Sequence, residues 1–436
     1  MLEALQNIFK IPELKKRVLF SLGMLAVYRI GCFIPTPGID RIALSHFFKQ
    51  SQGTLLGLFD MFSGGALERL TVFALGIMPY ISSSIIFQLL TVVVPAIEKL
   101  SKEGETGRRK IIQYTRYGTV VLSVVQGLGI AIGLESMRGP AGELIVPNAG
   151  WSFRLMTVIT LTAGTAFIMW LGEQMSEKGI GNGISLIIFA GIVARIPTAI
   201  GNSVRLFNAG QLSLFVIVFV FAVMFAVIAG IIFVERGQRR LPIHYAKRVV
   251  GLKTFNAQTS HLPLKVNMAG VIPPIFASSI IMFPATVANF INIPWVQSAA
   301  KSLTPGHWVY NIFFVAFIIF FCYFYTAVTF NPIDVAENIK KHGGYIPGIR
   351  PGKETSDFMD SVLTRLTFAG AIYISIICVL PSILIGKFNL PFYFGGTALL
   401  IAVGVGMDTV AQIESHLITK NYEGFLKGVR IRGRNK

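Results

Sequence analysis

Between Leu212 and Val234 the chain reads LSLFVIVFVFAVMFAVIAGIIFV, with no charged residue anywhere in the run. Wound as a helix at 1.5 Å per residue, this stretch is about 34 Å long and crosses a ~30 Å hydrocarbon core. In lipid every backbone N–H and C=O must be satisfied within the protein, which leaves helices or closed barrels, and runs of this length fit helices. Nine more apolar runs obey the same rule: Val18–Pro35, Thr71–Val94, Tyr117–Leu134, Leu155–Leu171, Ile184–Ile200, Met268–Ile293, Val309–Phe330, Leu366–Ile385 and Phe394–Ile413. The 436 residues are 53% hydrophobic and only 14% charged, with a mean hydropathy of +0.64. A soluble α/β enzyme would instead alternate short strand runs with amphipathic helices. The expected fold class is an all-α polytopic membrane protein with ten transmembrane helices.

An even number of spans puts both termini on one side. The large majority of the 39 Lys and Arg residues fall on that side, in the N-terminal segment, alternate connections and the tail. The excess of basic residues marks it as cytoplasmic. The expected divisions are a cytoplasmic N-terminal segment (1–17), a first five-span half (18–200), a second five-span half (201–413) and a cytoplasmic tail (414–436). Cys32, Cys322 and Cys378 lie in or beside apolar runs without CxxC spacing, so neither a disulfide nor a zinc site is expected.

Two proline-bearing spans resemble each other. GIMPYISSSII from Gly76 and GVIPPIFASSI from Gly270 share Gly, then Pro79 and Pro273, Ile81 and Ile275, Ser84 and Ser278, and Ile86 and Ile280. They are the second and seventh spans, so they occupy equivalent places in two five-span halves. A unit with an odd number of spans enters the membrane from opposite sides in its two copies, and the repeat is therefore inverted.

Catalytic signatures are missing: there is no HExxH, no nucleophile elbow and no GxxxxGK[ST]. Gly179 to Gly183, GIGNG, has no strand before it and reads as a tight turn at a span entry. No cofactor is expected. Ion and solute carriers keep charged groups in mid-membrane, and here Arg29, Arg195 and Asp408 are the candidates, each of which can also snorkel or pair between helices. The central spans carry isoleucines and small polar residues, with Ile77, Ile81, Ser82, Ser83, Ser84 and Ile85 in the second and Ile275, Ser278 and Ser279 in the seventh. Ordinary helix packing accounts for such residues one by one. Together they also describe an apolar constriction that bars water and ions by dewetting. A solute carrier using Asp408 and a lipid flippase or scaffold remain rival readings.

Two cytoplasmic connections are too long for simple links. Residues 235–267 alternate polar and apolar in RRLPIHYAKR, as a hairpin does. Residues 331–362 contain a GIRPG turn at Gly348 to Gly352. The net charge of +18 suits RNA phosphates or an acidic protein surface, and basic loops also fix topology and touch anionic lipid.

The runs MFSGGALERLTVFALGIMPYISSSII, GETGRRKIIQYTRYGT, MWLGEQMSEKGIGNGISLIIFAGIV, VERGQRR, HLPLKVNMAGVIPPIFASSI, YIPGIRPG and PFYFGGTALLI resemble the SecY family, central subunits of the bacterial protein-conducting channel. The resemblance extends from about Lys15 to the tail and implies a gated conduit for unfolded polypeptide in the bacterial inner membrane, driven by a motor ATPase or the ribosome. It implies a re-entrant plug half-helix at about Thr54 to Gly65, with Leu55, Leu56, Phe59, Met61, Phe62, Ser63 and Gly64. At ~1.5 Å per residue such a segment reaches about half-way through the membrane. A pore ring is implied at Ile77, Ile81, Ile184, Ile188, Ile275 and Ile401, and a lateral gate with Ser82, Gln126 and Phe283 as its candidates. Motor or ribosome contacts are expected at Arg239, Arg240, Lys247, Arg248 and Arg350. The implied partners are the small membrane subunits SecE and SecG, the motor SecA, the ribosome with its RNA, signal sequences and nascent chains, and the lipid bilayer.

Overall fold

The computed structural model describes residues 11–40, 42–45, 60, 63–136, 143–210, 213–245, 248–250, 253–255, 259–288, 302, 307–388 and 396–428. Its helices are α1 (Pro12–Gly31), α2 (Met78–Val93), α3 (Pro95–Lys102), α4 (Glu105–Ser136), α5 (Trp151–Lys178), α6 (Gly183–Val193), α7 (Ile196–Asn208), α8 (Leu214–Glu235), α9 (Ile272–Ala288), α10 (Trp308–Thr329), α11 (Pro332–Lys341), α12 (Lys353–Phe388) and α13 (Gly396–Gly428). Among the described residues seven helical segments are long and apolar enough to cross a membrane, or eight if α2 and α3, bent by 98°, count as one. The chain forms two compact units. One comprises Met1–Gly201, Asn289–Asn292 and Ile401–Lys436, and the other Asn202–Ala288 and Ile293–Leu400.

In the first unit α4 packs along both α2 and α5, and α1 along α5 and α6. Two ion pairs bracket the antiparallel α4 and α5. Arg116 meets Glu173 at 2.8 Å near one end, and Glu135 meets Arg154 at 2.6 Å near the other. Along α4 the two pairs are about 28 Å apart at 1.5 Å per residue, close to the ~30 Å thickness of a hydrocarbon core. The GIGNG stretch is the expected turn: Gly181 has φ +83°, and the Asn182 side chain accepts from the N–H of Ile184 and Ser185 to cap α6. Gln412 of α13 accepts from Gly181 N–H at 2.9 Å.

Three expected spans differ in their helical part. The second, expected over Thr71–Val94, becomes helical only at Met78, and residues 63–77 form consecutive turns. The reason is local: Gly76 takes φ +57°, and Pro79, which has no N–H to give, sits in the first helical turn. This irregular backbone is buried and bonded, Thr36 N–H donating to Leu70 O and Val72 N–H to Ile34 O, each at 2.9 Å. Burial in protein is the condition under which lipid-depth backbone leaves the helix. In the same way α9 starts at Ile272, short of Met268, with Pro273 in its first turn and Gly270 at φ +62°. The two left-handed glycines are the equivalent residues of the repeat, and each precedes its helix start by two residues. The fifth run breaks at Ala194 and Arg195, ahead of Pro197, into α6 and α7.

The 63–77 segment contributes Leu67, Leu70, Ala74 and Leu75 to a core with Ala131, Leu134, Phe153 and Leu161 of α4 and α5. Gly164 of α5 is where the segment comes closest, because a Cβ there would lie 1.9 Å from Val72 O. Gly164→Ala is therefore expected to destabilise the first unit by about 1–3 kcal/mol, as overpacking does, visible as a lowered unfolding temperature in detergent. An unchanged temperature would show that the segment yields freely.

The second unit carries α8, whose Phe225 and Phe233 are 78% and 81% exposed, as for a helix that meets lipid all round. After α8 the expected hairpin forms. Strand β1 (Gln238–Tyr245) pairs antiparallel with β4 (Thr259–Lys265) from Gln238↔Lys265 to His244↔Thr259, and β2 (Arg248–Val250) pairs with β3 (Lys253–Phe255). The second long connection joins the same sheet, because β5 (Gly344–Tyr345) pairs with β1 through His244↔Tyr345 and Tyr245↔Gly344. Leu241, Ile243 and Leu264 face a common core with Ile339 of α11, Ile346, and Met359, Val362 and Leu363 of α12. The two long connections are one folded body.

Candidate functional site

Asp60 is the hub of a polar network in the first unit. Its carboxylate is buried and faces the Arg195 guanidinium in a close ion pair, while Glu68 lies at 3.9 Å from the same guanidinium. The other carboxylate oxygen of Asp60 accepts from Glu68 N–H at 2.7 Å, and its carbonyl accepts from Gly65 N–H and Ser63 Oγ at 3.0 Å. From α1, Arg29 Nη1 donates to Gly64 O at 2.9 Å and the Tyr28 hydroxyl to Ser63 O at 3.2 Å. Gly64 takes φ +68°, and a Cβ on it would lie 2.9 Å from Gly191 Cα, so only glycine lets this turn rest on α6. Arg29 and Arg195 are thus both bonded within the protein. Hydropathy reading flagged both arginines but not Asp60, the partner of Arg195 from a distant part of the chain.

Of the expected plug segment, Asp60, Ser63, Gly64 and Gly65 are described. Thr54, Leu55, Leu56, Phe59, Met61 and Phe62 lie outside the described residues. The six isoleucines of the expected ring share one structural position, the N-terminal end of a helix. Ile77 caps α2 and Ile81 lies in its first turn; Ile184 and Ile188 open α6; Ile275 lies in the first turn of α9, and Ile401 in the second turn of α13. Ile77 and Ile81, like Ile184 and Ile188, are four apart and share a helix face. Ile77, Ile81, Ile188 and Ile401 are buried, Ile184 and Ile275 half-buried. Five belong to the first unit, and Ile275 to the second.

Ser82 is half-buried on α2. Its neighbour Ser83 donates to Thr115 O of α4 at 2.8 Å, where Gly118 makes room for it. Gln126, further along α4, has a buried Oε1 without a hydrogen-bond partner among the described residues. Phe283 lies on α9, and its side chain is outside the described residues. Arg239 and Arg240 are exposed at the start of β1. Arg350 is exposed in the turn before α12, its carbonyl held by Thr355 Oγ1 at 2.8 Å. Lys247 lies outside the described residues, and Arg248 is placed in β2 by its backbone.

Polar groups tie down irregular backbone, and the starts of four helices carry isoleucines. A sequence profile of the SecY family matches residues 71–410. The chain belongs to the SecY family. It is 52% identical over 425 residues to the protein translocase subunit SecY of Escherichia coli strain K12, covering 97% of this chain and 96% of that relative. The fold matches the structure of a protein-conducting channel with a TM-score of 0.66 at 16% identity, over 96% of this chain and 95% of that one. It also matches Sec61 in the canine ribosome–channel complex from the endoplasmic reticulum, with a TM-score of 0.64 at 16% identity and the same coverage.

Proposed function

We propose that this chain is the channel-forming subunit of a protein translocase, passing unfolded secretory polypeptides across the bacterial inner membrane and releasing membrane segments sideways into it. The observation that carries this reading is the match to the SecY family, by profile over residues 71–410 and at 52% identity to a relative over 97% of the chain. The six helix-end isoleucines form the constriction, which holds back water by being apolar and offers no binding site to what passes. Residues 54–65 are the plug, and the Asp60–Arg195 network holds the turn by which the plug joins the second span. Ser82, Gln126 and Phe283 belong to the sideways exit, where a buried amide oxygen without a partner, such as Gln126 Oε1, is costly to leave against lipid. Ten spans with both termini cytoplasmic follow from the apolar runs and the distribution of Lys and Arg.

The chain supplies the conduit, and a motor such as SecA or the translating ribosome supplies the energy, with SecE and SecG as small membrane subunits. The folded body of the two long connections is the docking face, and its exposed Arg239, Arg240 and Arg350 suit RNA phosphates or an acidic protein surface. The structural neighbour named as a ribosome–channel complex supports a ribosome in this role. Import of a secretory precursor into vesicles containing the purified complex tests the reading. For the docking face, Arg350→Glu is expected to abolish most motor-driven import while protein level and unfolding temperature stay unchanged, since an exposed loop charge contributes little to stability. An import defect that merely tracks a lower protein level would remove Arg350 from the docking face.

A further inference from the structure

The docking body and the helix that carries Ile275 meet at one buried side chain. Helix α8 ends at Glu235, and Val266 N–H donates to Gly237 O at 3.0 Å to close the base of the hairpin. The next residue, Asn267, is 4% exposed. Its Nδ2 donates to Glu235 Oε1 at 2.5 Å and to Gly270 O at 3.1 Å, and its Oδ1 accepts from Gly270 N–H at 3.0 Å. One carboxamide therefore grips the end of α8 and both backbone groups of Gly270. Gly270 is the left-handed residue from which α9 departs, and nothing lies within 4 Å of where its Cβ would be, so it is the backbone turn that calls for glycine. On the other side, Met268 packs against the core of the docking body. Gly370 of α12 closes the junction, because a Cβ there would sit 3.0 Å from Val266 O.

We infer that Asn267 is a positioning residue that couples the docking body to α9, so that a partner bound on the β1–β4 hairpin shifts the turn at Gly270 and with it the helix end bearing Ile275. The inference rests on the proposed roles of the hairpin and of Ile275. Only five residues separate Val266 from Ile272, and within them Asn267 and Gly270 are bonded on both sides, which leaves no slack to absorb a displacement of the hairpin base. A buried amide with this many partners transmits motion better than an apolar contact, because its bonds are directional.

The test separates docking from coupling. Purified complexes are placed in planar bilayers, and bacterial ribosomes carrying a nascent secretory chain serve as the probe. Co-sedimentation reads binding, and the ratio of ion conductance with and without ribosomes reads coupling. Asn267→Leu, close in shape but without the amide, and Asn267→Asp, which sets a carboxylate against Glu235, are expected to bind ribosomes within about twofold of the unaltered protein. Their conductance ratio is expected to fall by about tenfold. Glu235→Gln keeps an acceptor for Asn267 Nδ2 and is expected to retain the ratio. A full ratio in Asn267→Leu would overturn the coupling and leave the docking face standing, whereas no ribosome binding by the unaltered protein would overturn the docking reading and the inference with it. A measurement that needs no variant is amide hydrogen exchange at Gly270, Val271, Ile272 and Ile275. Ribosome binding is expected to change it, and identical exchange in both states would overturn the inference even if the Asn267 variants failed to assemble.

Discussion

Replacing Arg195 with Glu is expected to open the resting channel to ions, raising its conductance in a planar bilayer by about tenfold or more. Asp60 is 3% exposed; its carbonyl accepts from Ser63 Oγ and Gly65 N–H, while its carboxylate accepts from Glu68 N–H and pairs with Arg195, which ties the turn to the break between α6 and α7. Removing one partner of a buried ion pair costs about 3–5 kcal/mol, because the other charge is left without compensation. A glutamate adds repulsion from Asp60 and from Glu68. The turn joins the proposed plug to the second span, so its loosening frees the plug before the rest of the unit unfolds. The double exchange Asp60→Arg with Arg195→Asp restores the pair in reversed order and is expected to recover most of the seal. Equal leakage from the single and double variants would mean that the pair only fills space.

Asparagine in place of both Ile81 and Ile401 is expected to wet the constriction. An amide in an apolar ring costs about 1–3 kcal/mol if it stays dry, so water enters to satisfy it, and the dewetting barrier is lost. Precursors with weakened signal sequences should then be imported at close to the rate of intact ones, because opening no longer requires a strongly apolar signal. Both residues are buried at helix ends within the first unit, so their stability cost is monitored by the unfolding temperature in detergent. If defective precursors stay excluded while the protein is folded, these two isoleucines do not form the ring.

How far the molecule can be read from its sequence depends on the range of the interaction. Apolar runs announce membrane helices because lipid imposes one requirement on every residue, and α8 and α10 lie where hydropathy puts them. The repeat at Gly76 and Gly270 is legible because glycine and proline act on their own backbone, and both helices start in matching register. Hydropathy does not distinguish a helix from buried irregular chain, so residues 71–77 look like the beginning of a span although the backbone at Leu70 and Val72 pairs with Thr36 and Ile34. The Asp60–Arg195 pair and the joining of β1 to β5 are contacts between distant segments, and neither residue pattern carries a local sign of its partner. Alternation did expose the hairpin, since a strand's two faces are written in neighbouring residues. Asn267 offered no signal, because its role comes entirely from what surrounds it.

In the proposed function this chain forms a passage for unfolded polypeptide that a separate motor drives. This role is tested most directly by reconstituting the chain with its small membrane subunits into sealed vesicles and offering a labelled secretory precursor with the motor and ATP. The precursor is expected to become protected from external protease only when motor, ATP and this chain are all present, and a tightly folded domain fused to it is expected to halt it part-way. Protection that persists without the motor, or the entry of small solutes by counterflow in place of the polypeptide, would contradict this role.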